Sequence, residues 1–234
     1  MEQKHIVSFS GGKDSTAMLI HMIELNMQID EIYFADTGLE FPEMYEYIIK
    51  IQNYIGREIT ILKEGNWDKW FYGKSTRGKS KGNMRGFPLR LYHCWHSREA
   101  KFKPLDHVCK NHIRYIGYAI DENFYKRQRM IVNYKKGIKK EGYKFPLVDW
   151  VWTENDCLKY LKNKGLHNPL YNKFNRLGCW CCPKQTSKSL RVLYNDYPQL
   201  WERLMNYYYD NNSVFTDAIN LQKLNTQFKL EETR

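Results

Sequence analysis

A short apolar run, His5-Ile6-Val7-Ser8-Phe9, passes through two glycines into a helix that is apolar on nearly every side. From Asp14 to Asn26 that helical stretch carries Ala17, Met18, Leu19, Ile20, Met22, Ile23 and Leu25. A helix without a polar face is a buried helix. Between strand and helix lies Ser10-Gly11-Gly12-Lys13-Asp14-Ser15. Gly11 and Gly12 permit a tight turn and let a ligand approach where a Cβ would stand. The first-turn N–H groups of the helix have no acceptor within it and point at an anion. Ser8 closes the strand, Ser10 and Ser15 add hydroxyls, and Lys13 can neutralise phosphate charge. Asp14 fits as a helix N-terminal residue or as a partner for magnesium.

The rest of the first third keeps the same rhythm. Glu31–Ala35 reads as a second strand, Glu43–Ile55 as a helix opened by Pro42, and Glu58–Leu62 as a third strand. Alternating strands and helices with short connections predict right-handed βαβ units and a parallel sheet. The rhythm breaks at Lys74–Arg90, a basic, glycine-rich stretch without an apolar period, which reads as a mobile loop over the end of the sheet. It returns with a helix at Arg98–Asn111 and a strand at Ile113–Tyr118, whose exit carries Gly117. Lys126–Lys144 reads as a solvated basic loop, and Tyr143–Val148 as a last strand. Thr153-Glu154-Asn155-Asp156 opens a helix that Gly165 closes. Ser187–Asn211 is a further helix in which Pro198 marks a kink or a break. The last ~25 residues read as a polar tail with a weak helical pattern. The expected fold is α/β, doubly wound, with a mostly parallel sheet and helices on both faces. The expected domains are a nucleotide-binding α/β domain at 1–150 and a helical, cysteine-bearing segment at 151–234.

Composition narrows the class. Hydrophobic residues at 42% and aromatics at 15% exclude a disordered chain. No run nears the ~18 apolar residues of a membrane span. The N-terminus lacks the apolar core and cleavage site of a secretory signal, so a cytoplasmic location is expected. A net charge of +11 fits either plain solubility or an anionic partner such as a nucleotide, a nucleic acid or sulfate. One motif is a decoy. Gly73-Lys74-Ser75-Thr76-Arg77-Gly78-Lys79-Ser80 fits a Walker A pattern, yet no β run precedes it, and Gly82, Gly86 and Pro88 follow it where a helix must open.

Ser10-Gly11-Gly12-Lys13-Asp14-Ser15 resembles the PP-loop of the ATP pyrophosphatase (adenine nucleotide alpha hydrolase-like) superfamily. Asp36-Thr37-Gly38-Leu39-Glu40-Phe41-Pro42-Glu43 resembles the segment that follows the second strand in its phosphoadenylyl-sulfate reductase branch. Asp36 and Thr37 would then lie at the carboxyl end of a strand, where open α/β sheets bind ligands. The resemblance runs from His5 to about Trp201. It implies an adenine nucleotide, ATP or a sulfated one, held by Ser8, Ser10, Gly11, Gly12, Lys13, Asp14, Ser15, Asp36, Thr37 and Gly117. Lys13, Asp14 and Asp36 would be the catalytic groups. Arg127 and Arg129 follow the Ile113–Tyr118 strand about where relatives present sulfate- or phosphate-binding arginines; with Arg85 they are the candidate substrate-anion contacts. Plain surface charge is the other reading of these arginines.

His167-Asn168-Pro169-Leu170-Tyr171 and Gly178-Cys179-Trp180-Cys181-Cys182-Pro183 also resemble the iron–sulfur members of that branch. Cys94, with Lys101, Lys103 and Pro104 behind it, resembles their upstream cysteine segment, with Trp95 where they carry a second cysteine. Independently of any family, Cys179 and Cys182 at C-x-x-C spacing can clamp a metal from one turn, and Cys181 adds a thiol. The resemblance brings Cys94 in as the third ligand. The fourth is Cys181, His96, His93 or none. A 4Fe–4S cluster, a zinc ion and unligated thiols all remain open, because thiolates alone do not name the metal. Cys109 and Cys157, in helical stretches, read as buried small hydrophobes.

Three functions follow from the resemblance. ATP-dependent adenylation with sulfur transfer is the leading one. A reductase that releases sulfite from a sulfated nucleotide needs a catalytic thiol, and this sequence has none beyond Cys182; the nucleophile would be relocated, with Cys181 as candidate. A non-catalytic, nucleotide-gated partner or nucleic-acid binder is the third. A homodimer is among the expected assemblies.

Overall fold

The computed structural model describes residues 2–63, 66–76, 81–88, 94–123, 125–138, 142–212 and 214–232. In chain order the elements are β1 (His5–Phe9), α1 (Lys13–Glu24), β2 (Glu31–Asp36), α2 (Pro42–Ile55), β3 (Thr60–Lys63), α3 (Trp67–Phe71) and α4 (Trp95–Ser97). A π-helical stretch (Arg98–Phe102) leads into α5 (Lys103–Val108), then β4 (Ile113–Ile116), α6 (Tyr125–Lys135), β5 (Tyr143–Lys144), α7 (Pro146–Asp149) and α8 (Glu154–Asn163). A 3-10 turn (Pro169–Asn172) precedes α9 (Ser187–Asp196), α10 (Pro198–Asp210) and α11 (Leu221–Glu232).

The chain divides into two compact units. The first comprises Met1–Asp36, Pro42–Lys63 and Lys103–Tyr171; the second comprises Thr37–Phe41, Glu64–Phe102 and Asn172–Arg234. The chain therefore leaves and re-enters each unit, rather than changing over once near residue 150.

The first unit holds a five-stranded parallel sheet in the order β3-β2-β1-β4-β5, flanked by helices. Val7 in β1 stands opposite Ile32 on one side and Tyr115 on the other. Ile6 and Val7 are fully buried, as expected for a central parallel strand. The strand order reverses between β1 and β4, so the carboxyl ends of these two strands form the topological switch point of the sheet. α1 packs on β1, α7 and α8, and buries Ala17, Met18, Leu19 and Met22 completely. α2 turns Met44, Tyr47, Ile48 and Ile51 inward, and the Tyr47 hydroxyl donates to Leu166 O at 2.8 Å.

Lys126–Lys144 is not a solvated loop but mostly the helix α6. Met130, Ile131 and Tyr134 pack with Phe145, Val148, Ile116 and Tyr118, so a narrow apolar stripe decides the structure against a basic background. The last strand is only Tyr143–Lys144, because Pro146 has no N–H for the ladder and instead opens α7. The helix expected at Arg98–Asn111 starts earlier, at Trp95, and passes through the π stretch before α5. Pro104 cannot donate to the carbonyl one turn back, and the widened turn accommodates it.

In the second unit α9 and α10 are separate helices, broken at Tyr197, the residue before Pro198, which leaves the helical region. The C-terminal segment is a docked helix and not a polar tail. α11 buries Leu221 and Phe228, Arg191 lies 3.8 Å from the Phe228 ring centroid, and Trp201 Nε1 donates to Asn225 Oδ1 at 3.0 Å. The described part of the Lys74–Arg90 stretch is anchored. Ser75 N donates to Asn83 O at 2.8 Å, Lys74 pairs with Met84, and Phe87 is buried against Phe71 and Phe215. The Walker A look-alike adopts no helix over Gly73–Thr76, and its residues 77–80 lie outside the described ones.

Candidate nucleotide loop and thiol cluster

The turn from β1 into α1 lies at the switch point, and its geometry is held from several sides. Gly11 has φ +68°, and a Cβ there would lie 2.3 Å from Met44 Sδ, so only glycine fits. Ser15 Oγ accepts from Ser10 N at 3.1 Å, donates to Gly12 O at 3.1 Å and meets Ser10 Oγ at 2.9 Å. Asn168, fully buried, donates from Nδ2 to Gly11 O at 3.0 Å. Across the switch point the exit of β4 comes equally close: a Cβ on Gly117 would lie 2.8 Å from Ser15 N and Cα. Gly12 is different. Its φ is −79°, and a Cβ would meet only Ser10 Oγ at 3.4 Å and Tyr171 Oη at 3.5 Å. Neither backbone strain nor packing accounts for a glycine at this position. Gly12 is also the N-cap of α1 and supplies no side-chain cap, which leaves the positive end of the helix for an anion.

Charged groups converge on the same turn. Lys13 Nζ lies 2.6 Å from Glu154 Oε2 and 3.7 Å from Asp14 Oδ2. Burial works against the Lys13 charge, but the Glu154 hydrogen bond and the charges of Asp14, Tyr171 and Glu154 outweigh it and raise its pKa. Burial pushes the Asp14 carboxyl up to about 6; Lys13 opposes this, and the charges of Glu154, Glu122 and Asp121 add to it. Asp14 Oδ1 is buried without a hydrogen-bond partner.

The remaining expected residues are distributed as follows. Ser8 Oγ, in β1, accepts from Arg114 Nε at 2.6 Å, and Arg114 also pairs with Asp106 at 2.8 Å, so this hydroxyl is engaged within the sheet. Asp36 ends β2, is buried, and accepts from Tyr45 Oη at 2.9 Å. Arg127 pairs with Glu122 at 2.6 Å and lies 5.1 Å from the Tyr118 ring centroid, while Arg129 is exposed on α6. Thr37 and Arg85 belong to the second unit. The Arg85 guanidinium sits 5.2 Å from the Trp95 ring centroid. Sequence reasoning gives no role to Glu154, Asn168 or Tyr171, which surround the glycine turn; for Asn168 and Tyr171 the signal was their place in a family-like segment, and for Glu154 there was none.

Four of the six cysteines, Cys94, Cys179, Cys181 and Cys182, lie in the second unit, while Cys109 and Cys157 are buried in the first. Cys179 and Cys182 occupy one turn, with Cys182 N donating to Cys179 O at 3.1 Å. Gln185 Nε2 donates to Cys179 O at 3.1 Å and to Trp180 O at 2.7 Å, and Trp180 N donates to Leu39 O at 3.0 Å. Thr37 Oγ1 lies 3.7 Å from Cys179 Sγ and donates to Glu40 Oε1 at 2.8 Å. Burial pushes the Cys179 thiol well up, with the charges of Glu40, Cys182 and Cys94 adding. Burial also lifts the Cys94 thiol; the Ser97 amide, 3.3 Å from Sγ, opposes it and Cys182 adds to it. Cys94, Cys179 and Cys182 thus feel one another's charge. Cys181 is 1% exposed beside them. His96, buried, donates from Nε2 to Thr37 O at 3.0 Å, and its Nδ1 is buried without a partner. His93 lies outside the described residues. Among the described residues no group of three or more His, Cys, Asp and Glu side chains forms a metal-holding set. The thiols of Cys94, Cys179 and Cys182 come from two segments and are soft donors.

The model of the phosphoadenosine phosphosulfate reductase domain matches residues 4–185. The chain belongs to this family. Two uncharacterized proteins of Methanocaldococcus jannaschii are similar to this family member. One is 28% identical over 211 residues, covering 86% of this chain and 40% of that protein. The other is 30% identical over 220 residues, covering 88% and 49%. The phosphoadenosine 5'-phosphosulfate reductase of Vibrio atlanticus is 24% identical over 175 residues, covering 73% and 62%. The chain thus spans only part of the length of each of these relatives. Among solved structures, the phosphoadenylyl-sulfate reductase of Candida auris in its phosphate complex superposes with a TM-score of 0.51 at 14% identity, covering 77% of this chain and 83% of that one. That likeness shows the α/β fold. No helix among the described residues is long and apolar enough to cross a membrane.

Proposed function

We propose that this family member binds ATP at the Ser10–Ser15 turn, adenylates an acceptor oxygen and directs a sulfur nucleophile to the activated position. The observation that carries the reading is Gly12, a glycine that neither backbone strain nor packing explains, at a helix N-terminus whose N-cap residue supplies no side-chain acceptor, on the switch point. The acceptor oxygen forms a bond to the α-phosphorus, and the bond to pyrophosphate breaks. The sulfur nucleophile then bonds to the activated carbon, and AMP leaves with the former acceptor oxygen. Helix amides and Lys13 stabilise the charge that grows on the phosphates. Asp36 faces the nucleotide from the neighbouring strand end. Arg127 and Arg129 contact substrate anions.

Cys94, Cys179 and Cys182 are the proposed ligands of an iron–sulfur cluster, with Cys181 or His96 as fourth ligand or an open iron. A cluster with an open iron supplies a binding position for sulfide. A protein brown under anaerobic conditions, absorbing near ~400 nm, supports this ligation, and a colourless, zinc-bearing protein moves the thiols to a structural role.

A sulfonucleotide reductase is the second reading, favoured by the family itself. It needs an accessible attacking thiol, and Cys181, at 1% exposure, is a poor one. Pyrophosphate and sulfite are assayed separately, with nucleotide alone and then with RNA as acceptor. Pyrophosphate release from ATP supports the proposal. Sulfite from a sulfated adenine nucleotide without ATP supports the reductase, and ATP binding with neither product leaves a non-catalytic binder.

A further inference from the structure

The first-turn amide of α1 is already spoken for by a side chain of this protein. Lys13 N donates to Tyr171 Oη at 3.0 Å. A phosphate seated on this helix N-terminus draws on the same N–H, and one N–H cannot point squarely at two acceptors. The Tyr171 hydroxyl also stands where a Cβ on Gly12 would come within 3.5 Å, which is the approach that Gly12 keeps open. Lys13 Nζ lies 5.6 Å from the Tyr171 ring centroid.

The backbone that carries this tyrosine is fixed, while its ring is not fully enclosed. Asn168 holds Gly11 O through Nδ2 and accepts from Leu170 N at Oδ1 at 3.0 Å, and Tyr171 N donates to Asn168 O at 3.1 Å. The 3-10 turn is thereby tied to the glycine loop itself. Tyr171 is only partly buried, and that tie involves its backbone and not its hydroxyl.

We propose that the Tyr171 hydroxyl is a stand-in for a phosphate oxygen, holding the Lys13 amide in its ligand-ready direction and yielding it when the nucleotide's phosphate arrives. This rests on the nucleotide-site reading above. An anionic phosphate oxygen makes a stronger, charge-assisted bond to an N–H than a neutral phenol does. The exchange is therefore favourable for a phosphorylated ligand and unfavourable for a bare nucleoside, and Tyr171 becomes a selectivity residue for the charged tail.

Calorimetry with inorganic pyrophosphate and with ATP, on the wild type and Tyr171→Phe, tests this. Loss of the competing hydroxyl makes the variant bind pyrophosphate about threefold to tenfold more tightly, the worth of one net hydrogen bond. The 15N-labelled Lys13 amide supplies a readout that a merely structural role would not move. Its resonance differs between wild type and Tyr171→Phe without pyrophosphate and coincides with it. Equal affinity in the two proteins overturns the proposal. So does weaker binding by the variant, which would make the hydroxyl a direct phosphate ligand. If neither protein binds ATP or pyrophosphate, the nucleotide-site reading fails and this one with it; if the wild type binds and the variant gains nothing, only the role of Tyr171 fails.

Discussion

Two adjacent glycines in one turn have different reasons to be glycine, and substitution separates them. Gly11→Ala puts a Cβ into Met44 at a left-handed φ and is expected to cost about 1–3 kcal/mol of stability in urea unfolding. Gly12→Ala meets only ordinary contacts and should leave the unfolding midpoint nearly unchanged, while ATP affinity falls about tenfold or more. Asp14 adds a pH signature. Its carboxyl is pushed up to about 6 from 3.8, so the folded state holds the proton more tightly than the unfolded one. The stability this contributes is present below about pH 4 and is lost as the pH rises through about 6. Asp14→Asn is therefore expected to unfold about 1–3 kcal/mol later than the wild type at pH 7, with the gap closing towards pH 4. A gap independent of pH would place the strain elsewhere.

At the scale of elements, α8 shows how a local signal serves the site. Thr153 accepts from Asp156 N at 3.1 Å while Asp156 accepts from Thr153 N at 3.0 Å, a reciprocal cap. The residue between them and the first turn is Glu154, the partner of Lys13. Thr153→Ala should lower stability by about 1 kcal/mol, read as a lower thermal midpoint. This cap was legible in the sequence, as were β1, α1, β2 and α2, because each carries its own periodicity and punctuation. α6 was not, since its three inward residues sit among lysines and arginines and gain their meaning only from Phe145 and Val148. α11 showed only a weak helical pattern in the sequence, because Leu221 and Phe228 are its only buried residues among the described ones. At the site, the glycine turn was legible because chemistry and local structure coincide in one segment. Tyr171 and Glu154 reach the turn from more than 140 positions away, as separations of 158 and 141 record, and pairings at that range leave no local pattern.

Over the whole molecule, binding and stability are linked. If ATP occupies the native state alone, a concentration of 100 times Kd raises the unfolding free energy by about 2.7 kcal/mol. Thermal unfolding with and without ATP measures this, and at the same ATP concentration a tenfold weaker Gly12→Ala should show a rise of only about 1.4 kcal/mol. The net charge of +11 adds a second test: if the acceptor is a nucleic acid, its binding must weaken steeply with added salt. An acceptor bound equally well at low and high salt would be uncharged.

The unbroken buried run Ser15–Ile20 of α1 has a consequence for motion. Amides from Ala17 to Met22 should exchange with deuterium only when the entire fold opens, because nothing smaller exposes them. The platform beneath the glycine turn is then among the stiffest parts of the protein, and any give during a catalytic cycle has to come from the tyrosine-bearing side.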